Sequence, residues 1–230
     1  MELISTIRRW HLDETGVYLL SNPNLTQVSE GLPKICSRIE FELEKFWAKK
    51  IVESSFPEVI FKAFPFFYDY QNLIFEESAM IPAIPARVVF LGSGPLPISA
   101  ILYARITKTQ QVYCVDSDVY ACALSEKVID SLNMSGKINI VNSNANNFIE
   151  KSIDVIFSAA LVDDFDVYKA PILNNSRFLV LRNGEGVAQF IYNKKPDIDN
   201  IYTCIAAVKN KEKKLVTSKL YKIESAGVAL

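Results

Sequence analysis

The sequence predicts an α/β protein in which a doubly wound, largely parallel sheet follows an N-terminal helical cap. Two observations predict this fold class. Residues 1–82 space their apolar side chains as helices do, and the remainder alternates short β-branched runs with helical stretches. The chain has 230 residues, half of them hydrophobic, which suits one large domain or a full domain with a smaller cap.

The cap is predicted from two apolar stripes and an aromatic segment. The first stripe comprises Leu3, Ile4, Ile7, Trp10 and Leu12, and the clearer second one comprises Ile35, Ile39, Leu43, Phe46, Trp47, Ile51 and Val52. Pro33 suits the start of the second helix, a third helical segment covers 57–64, and a helix resumes after Pro65 toward Ala79. Two prolines within 81–86 indicate a stiff connector, so we place the domain boundary there: a helical cap at 1–82 and a sheet domain at 83–230.

The sheet domain is predicted from short apolar runs separated by helical stretches. Strands are predicted at 87–91, 111–115, 137–141, 153–158 and 177–181, and helices at 96–107 and 119–132. Runs of this kind are what a parallel sheet buried on both faces requires. The later runs at 187–192, 202–208 and 215–223 predict antiparallel strands added at one sheet edge.

Composition excludes several classes of function. The net charge of −1 and the pI near 6.0 argue against a nucleic-acid partner, which a basic patch would serve. No run of about 18 apolar residues predicts a membrane span, and the N-terminus lacks the apolar core of a signal peptide, so a cytoplasmic protein is expected. With four cysteines in no CxxC pair and a single histidine, His11, no metal site is expected, and Cys114 is expected to be a buried, inert thiol.

The segment FLGSGPLP, residues 90–97, ends the first predicted strand and opens the first helix of the sheet domain. Ligands of open α/β sheets bind at the carboxyl ends of the strands, and Gly92 and Gly94 would let the backbone turn tightly beside one. Pro97 stands where a dinucleotide-binding loop would carry its third glycine, which disfavours a pyrophosphate ligand. Pro97 itself is expected near the first helical position.

Polar residues after the second and third strands complete a nucleoside-binding pattern. Asp116 ends the second strand, where an acid takes ribose hydroxyls, and Asn144 follows the third strand, where an adenine contact would stand. This order favours S-adenosylmethionine over NAD or FAD; the plain alternative is a simple turn and a surface acid. The predicted cofactor-binding residues are Gly92, Ser93, Gly94, Pro95, Asp116, Ser117, Asn144, Ser158 and Ala159.

GSGPLP and the strand before it resemble the hallmark of nicotianamine synthases and their bacterial relatives that make opine metallophores of the staphylopine, pseudopaline and yersinopine type. Common methyltransferases carry an acid where this chain has Phe90, and often a glycine where it has Leu96. Weaker resemblances to segments of the same family occur on both sides of this loop, at 43–52, 66–70, 115–118, 157–161 and 181–192. The likeness therefore covers roughly residues 40–195. The implied fold is a Rossmann-like sheet of the class I methyltransferase type.

The resemblance implies an enzyme that transfers the 3-amino-3-carboxypropyl (aminobutanoyl) group of S-adenosylmethionine to the α-amine of an amino acid, histidine being the expected acceptor, with release of methylthioadenosine. Glu44 matches the family's catalytic glutamate and is expected to accept the amine proton; the alternative is a solvated helix residue, as expected for Glu40 and Glu42. Tyr70 matches a tyrosine that holds the reacting groups, and otherwise belongs to the aromatic core.

Two further expectations concern the acceptor. Ser158 and Ala159 end the fourth strand, where small side chains leave room for a substrate. Arg182 ends the fifth predicted strand, where its guanidinium would grip an acceptor carboxylate; the alternative is a surface ion pair.

Partners and competing functions stay open at this stage. The resemblance implies a downstream opine dehydrogenase acting on the product, and the aromatic cap would serve either a homodimer contact or its own core. A small-molecule methyltransferase on the same fold predicts S-adenosylhomocysteine as by-product. A non-catalytic module predicts nucleoside binding without turnover.

Overall fold

The computed structural model describes residues 31–150, 152–162, 173, 176–184, 186–192, 198–208 and 216–223. The helix predicted over residues 3–12 and the single histidine, His11, lie outside these residues.

Helices form the described part of the cap, as predicted. They are α1 (Leu32–Glu53), α2 (Pro57–Lys62) and α3 (Phe67–Met80). Pro33 lies in the first turn of α1, where its missing N–H leaves no helical hydrogen bond unmade. α1 buries Ala48 and Ile51, while α3 buries Phe67 and Ile74. These apolar faces hold the cap against the sheet domain.

The sheet domain alternates strands and helices up to its third strand. Its elements are β1 (Arg87–Leu91), α4 (Ile98–Ile106), β2 (Gln111–Asp116), α5 (Val119–Ser131), β3 (Ile138–Asn142), β4 (Ile153–Ser158), β5 (Ser176–Gly184), a 3₁₀ helix (Gly186–Phe190), β6 (Thr203–Val208) and β7 (Val216–Lys222). The strands form one sheet in the order β3-β2-β1-β4-β5-β7-β6. Strands β1 to β5 pair in parallel, whereas β7 and β6 add antiparallel pairs at one edge. The predicted doubly wound sheet is confirmed.

The switch point of the sheet lies between β1 and β4, which pair although β2 and β3 intervene in sequence. Phe90 of β1 lies opposite Phe157 of β4, and their rings stack with centroids 4.4 Å apart. Tyr103 of α4 meets both rings edge-on, at 5.8 and 5.1 Å. An aromatic side chain at position 90 thus completes a cluster of three rings. The cluster packs β1 against β4, the two strands whose ends carry the site.

The strand predicted at 187–192 is wrong, because this run forms the 3₁₀ helix and the turn that follows it. Ile191 and Tyr192 both donate backbone N–H groups to the carbonyl of Ala188, at 3.0 and 2.9 Å. Ala188 and Ile191 are buried three residues apart, which is a helical rather than a strand period. A short apolar run does not distinguish these two structures by hydrophobicity alone.

The cap and the sheet share one hydrophobic core. Phe61, Phe67 and Ile74 of the cap belong to the same buried cluster as Phe90 and Phe157 of the sheet. The connector 81–86 contains neither helix nor strand, as predicted, while the division into two domains stays a prediction. None of the helices in the described part of the chain is long and apolar enough to cross a membrane.

Candidate functional site

The loop after β1 is a left-handed turn that requires glycine. Gly92 and Gly94 have φ angles of +69° and +66°, values that other residues adopt only at a cost of roughly 1–2 kcal/mol. A β-carbon at Gly92 would come within 2.6 Å of Val162 Cγ2. The N–H groups of Gly92 and Ser93 donate to the carbonyl of Val115, at 2.9 and 3.3 Å, so the loop is tied to β2.

Two buried prolines shape the entry into α4. Pro97 directly precedes Ile98, the first residue of the helix, which agrees with its expected position near the helix start. Ile98 N–H bonds the carbonyl of Leu96 at 2.7 Å, which closes a tight turn. Pro95 and Pro97 have no N–H to satisfy, and the Leu96 N–H between them donates to the Glu44 side chain.

Asp116 braces this loop from the end of β2. Its Oδ2 accepts the N–H of Gly94 at 2.8 Å and its Oδ1 accepts the N–H of Asp118 at 2.9 Å. Beyond these described partners each oxygen has one further acceptor position, since a carboxylate oxygen has two lone pairs. Asp118 in turn caps α5 by accepting the N–H of Ala121 at 2.8 Å, and Ser117 is exposed beside them. Asp116 therefore has a structural role that the sequence did not indicate, and its predicted ribose contact stays a prediction.

Asn144 lies exposed in the turn after β3. Its Oδ1 accepts the N–H of Asn146 at 2.8 Å, so the side-chain oxygen shapes its own turn. The predicted adenine contact stays a prediction.

Two buried hydroxyls at the carboxyl ends of β1 and β4 lack hydrogen-bond partners among the described residues. They are the Oγ atoms of Ser93 and Ser158. Ser158 lies opposite Leu91 in the sheet, and Ala159 N–H bonds the carbonyl of Leu91 at 3.2 Å, so both hydroxyls belong to one edge. Buried polar atoms are normally paired, so a polar ligand at this edge is expected to bind them.

Glu44 projects from α1 onto the glycine loop. Its carboxylate is so close to Gly94 that a β-carbon there would overlap Oε2. Burial and the negative charges of Glu40 and Asp116 raise the pKa of Glu44 well above its usual range, although the Leu96 N–H opposes the shift. The cap thus brings a carboxyl group with a raised pKa against the loop of the sheet domain.

Glu40 is half-buried and hydrogen-bonded, contrary to the expectation that it would be solvated. It lies one turn before Glu44, and its Oε1 accepts the hydroxyl of Tyr192 at 2.9 Å. Burial raises the pKa of Glu40, and the Tyr192 hydrogen bond lowers it. Glu42 matches its expectation, since it forms exposed salt bridges with Lys45 and Arg38.

Tyr70 of α3 lies within the electrostatic influence of Glu40 and Glu44. Burial and the charges of Glu40 and Glu44 raise its pKa, while the charge of Arg182 lowers it. Its ring also packs against Phe64, with centroids 6.3 Å apart. Tyr70 thus packs in the aromatic core, which was the alternative expectation, while its predicted role in holding the reacting groups stays a prediction.

Arg182 forms an ion pair that is buried rather than on the surface. The strand β5 continues to Gly184, so Arg182 lies within it and not at its end. Arg182 Nε and Nη2 donate to the two oxygens of Glu77, both at 2.8 Å, and Nη1 donates to Ser99 Oγ at 3.0 Å. Ser218 Oγ donates to Glu77 Oε1 at 2.6 Å. The predicted contact with an acceptor carboxylate stays a prediction.

Sequence reasoning missed Glu77, Tyr192 and the inward orientation of Glu40. Two signals were present: Glu40 precedes Glu44 by four residues, and Glu77 follows Tyr70 by seven, so each pair shares a helix face. Tyr192 gave no such signal, because its partner lies 152 residues away. No three residues of the metal-ligating types come together in the described ranges. Burial raises the pKa of the Cys114 thiol in β2, as expected for an inert core cysteine.

Comparisons with known proteins identify the family of this chain. A family model described as "Nicotianamine synthase protein" matches residues 1–220. A nicotianamine synthase of Solanum lycopersicum is 27% identical over 183 residues, covering 73% of this chain and 58% of the relative. Probable nicotianamine synthase 2 of Hordeum vulgare is 26% identical over 200 residues, covering 74% of this chain and 56% of the relative. The chain thus spans little more than half the length of these relatives.

Solved structures show the fold. A mutant of MtNAS in complex with S-adenosylmethionine superimposes with a TM-score of 0.84 at 24% identity, covering 97% of this chain and 90% of that one. MtNAS in complex with MTA and tNA superimposes with a TM-score of 0.85 at the same identity, covering 97% and 88%. A methyltransferase from Aquifex aeolicus follows at a TM-score of 0.54 and 12% identity, covering 70% and 94%. With the family model matching almost its whole length, the chain belongs to the nicotianamine synthase family.

Proposed function

We propose that this protein transfers the aminobutanoyl group of S-adenosylmethionine to the amine of an amino acid and releases methylthioadenosine. The observation that carries the proposal is the contact between the Glu44 carboxylate and Gly94, because it brings a proton acceptor to the loop where the donor would bind. Family membership and the likeness to MtNAS, solved with S-adenosylmethionine and with MTA, support the choice of donor.

The residues at the sheet edge fit the proposed donor. Two glycines in left-handed conformation open the loop, and the hydroxyls of Ser93 and Ser158, which no described residue pairs, offer hydrogen bonds at the same edge. The spare acceptor positions of Asp116 suit ribose hydroxyls. When bound, S-adenosylmethionine supplies a sulfonium whose γ-carbon accepts the amine lone pair while the C–S bond electrons return to sulfur.

Glu44 would accept the proton that the attacking amine loses. An amine attacks only in its unprotonated form, and a carboxyl group with a raised pKa is a stronger base than an ordinary glutamate. The negative charges of Glu40, Glu44 and Asp116 also favour a cationic donor in this cleft. Tyr70 would help to orient the amine, since the charges of both glutamates raise the pKa of its phenol and the phenol therefore stays protonated as a donor.

The proposed acceptor, pathway and downstream dehydrogenase come from the resemblance, whereas the Arg182 contact, the homodimer and the domain division come from the residues themselves. We propose histidine as the acceptor, with Arg182 binding its carboxylate, and a place in the biosynthesis of an opine-type metallophore. The product would then pass to an opine dehydrogenase in the cytoplasm. A homodimer is part of the same proposal, as is the division into a cap at 1–82 and a sheet domain at 83–230.

One incubation tests the reaction. The protein is mixed with S-adenosylmethionine and single amino acids, and the nucleoside product is identified by mass spectrometry. We expect methylthioadenosine, with histidine the best acceptor. S-adenosylhomocysteine would instead identify a methyltransferase, and binding without any nucleoside product would identify a non-catalytic module.

Glu44→Gln tests the base. Loss of a general base typically slows a reaction by about 10²–10⁴-fold, so we expect methylthioadenosine formation to fall by that order. Glu42→Gln is the matched control, because Glu42 lies on the same helix with its carboxylate in exposed salt bridges. A Glu44→Gln protein with the normal rate would remove Glu44 from the mechanism.

A further inference from the structure

The ion pair between Glu77 and Arg182 joins the cap to the sheet. The Glu77 side chain is 0% exposed and the Arg182 side chain is 8% exposed. Glu77 lies on α3, two turns after Tyr70 on the same helix face, and Arg182 lies on β5. The charge of Arg182 reaches Tyr70, since it lowers the pKa of that phenol.

Glu77 fixes the orientation of the Arg182 guanidinium. It accepts two parallel hydrogen bonds, from Nε and Nη2, and thereby occupies one edge of the guanidinium plane. Ser99 takes one N–H of Nη1, and Ser218 holds Glu77 Oε1 from β7. Few rotations of either side chain preserve all four hydrogen bonds. Glu77, Ser99 and Ser218, which we call the clamp, therefore set the direction of every remaining N–H of Arg182.

Two guanidinium N–H groups remain. A guanidinium has five N–H groups, and the described protein partners take three of them, which leaves one on Nη1 and one on Nη2. A buried donor without a partner is costly, so these groups call for an acceptor in the space they face. The edge of a guanidinium that Nη1 and Nη2 form together matches the spacing of a carboxylate.

We propose that Glu77 is a positioning residue that orients these two N–H groups of Arg182 toward the carboxylate of the acceptor amino acid. Because Glu77 cancels the charge of Arg182, the pair would recognise the carboxylate by the direction of its hydrogen bonds. This inference deepens the proposed function and rests on it for the identity of the site. It assigns Glu77 no contact with the reacting atoms.

Calorimetry tests the inference without turnover. Histidine and histidinamide are titrated into the full chain in the presence of methylthioadenosine, which fills the nucleoside site without reacting. We expect the wild type to bind histidine at least about tenfold more tightly than its amide, as a charge-assisted hydrogen bond allows. Equal affinities, or no binding of either ligand, would overturn the inference.

Variants separate positioning from folding. Glu77→Gln should reduce the preference for histidine over the amide to about twofold or less, and Ser99→Ala should reduce it partially while leaving the buried charges paired. Each variant is first checked by thermal unfolding, because breaking a buried ion pair destabilises a protein by about 3–5 kcal/mol. If Glu77→Gln does not fold, Ser99→Ala decides: an unchanged preference in this variant contradicts the clamp.

The control is Glu58→Gln, which breaks an exposed ion pair with Arg105 and should leave the preference unchanged. The outcomes also separate this inference from the proposed function. A protein that makes S-adenosylhomocysteine but prefers the carboxylate only when Glu77 is intact supports the clamp and refutes the aminobutanoyl transfer. A protein that makes methylthioadenosine with no such preference does the reverse.

Discussion

The Glu44 carboxylate lies directly against Gly94, in the space that any side chain at position 94 would occupy. The two residues come from different parts of the chain, Glu44 from the cap helix α1 and Gly94 from the loop after β1. The glycine is required here for two reasons, since its φ of +66° is left-handed and its missing side chain admits the carboxylate.

Gly94→Ala should therefore lower the rate of methylthioadenosine formation by about 10²-fold, as expected for a displaced catalytic group. The left-handed backbone should also cost roughly 1–2 kcal/mol of stability. Gly136→Ala is the control, because a methyl group there meets no atom within 4 Å. A Gly94→Ala protein with the wild-type rate would show that Glu44 and the loop need not touch.

The pH dependence of the reaction should reveal the environment of Glu44. Because Glu44 must be ionised to accept a proton, kcat/KM should fall as the pH drops through its pKa, which burial, Glu40 and Asp116 raise above 4.5. Glu40→Gln removes one of these charges, so the fall of kcat/KM on the acid side of the pH profile should move to lower pH. The acceptor amine titrates identically in both proteins. A fall of kcat/KM that stays at the same pH would exclude Glu44 as the group observed.

Glu44→Gln should stabilise the fold at neutral pH. A glutamate whose folded pKa exceeds its unfolded pKa contributes stability below the unfolded pKa and loses it as the pH rises through the folded pKa. Glutamine carries no such cost, so the midpoint of thermal unfolding should rise at pH 8 and change less at pH 4. Each kcal/mol corresponds to about 2–4 °C for a chain of this size.

Glu42→Gln is a control for which the opposite change in stability is expected. Lys45 and Arg38 lower the pKa of Glu42, so its ionised form favours the folded state above the unfolded pKa. The variant should be slightly less stable than the wild type at pH 8. A stability loss in Glu44→Gln at pH 8 would contradict the unfavourable burial inferred for Glu44.

Tyr192→Phe should raise the pKa of Glu40, because the lost hydrogen bond lowers that pKa. The titration is followed by ¹³C NMR of the glutamate carboxyl groups. Stability should fall by about 0.5–1.5 kcal/mol, the usual net contribution of one hydrogen bond. Tyr68→Phe, at an exposed position on α3, should change neither quantity. An unaltered Glu40 titration would show that the Tyr192 hydrogen bond does not form in solution.

Ser93→Ala and Ser158→Ala should weaken donor binding without destabilising the unliganded protein. Neither hydroxyl has a partner among the described residues, so its removal loses no hydrogen bond to them. Each should cost about 1 kcal/mol, or roughly fivefold, in S-adenosylmethionine affinity by calorimetry. Ser131→Ala is the control, since its hydroxyl bonds the Lys127 carbonyl on the surface. Undiminished affinity in both variants would mean that the donor binds elsewhere.

Much of the fold was predictable because local patterns determine it. The strand at Arg87–Leu91 and the strand at Ile153–Ser158 have the predicted bounds, since short apolar runs in a parallel sheet are buried on both faces. The run 187–192 failed because its hydrophobicity does not distinguish a 3₁₀ turn from a strand. Gly92 and Gly94 were predictable as a turn, since their conformation follows from the residue type.

By itself the sequence determined the sheet, the glycine turn and the family resemblance, because these depend on residue type and spacing along the chain. Tertiary structure decided which side chains meet: Glu40 with Tyr192 and Glu77 with Arg182 are partners 152 and 105 residues apart. It also decided the ionisation of Glu44, because the raised pKa arises from burial and from neighbouring charges on two different elements. Pairings and electric fields of this kind depend on distances in space, which residue order alone does not specify.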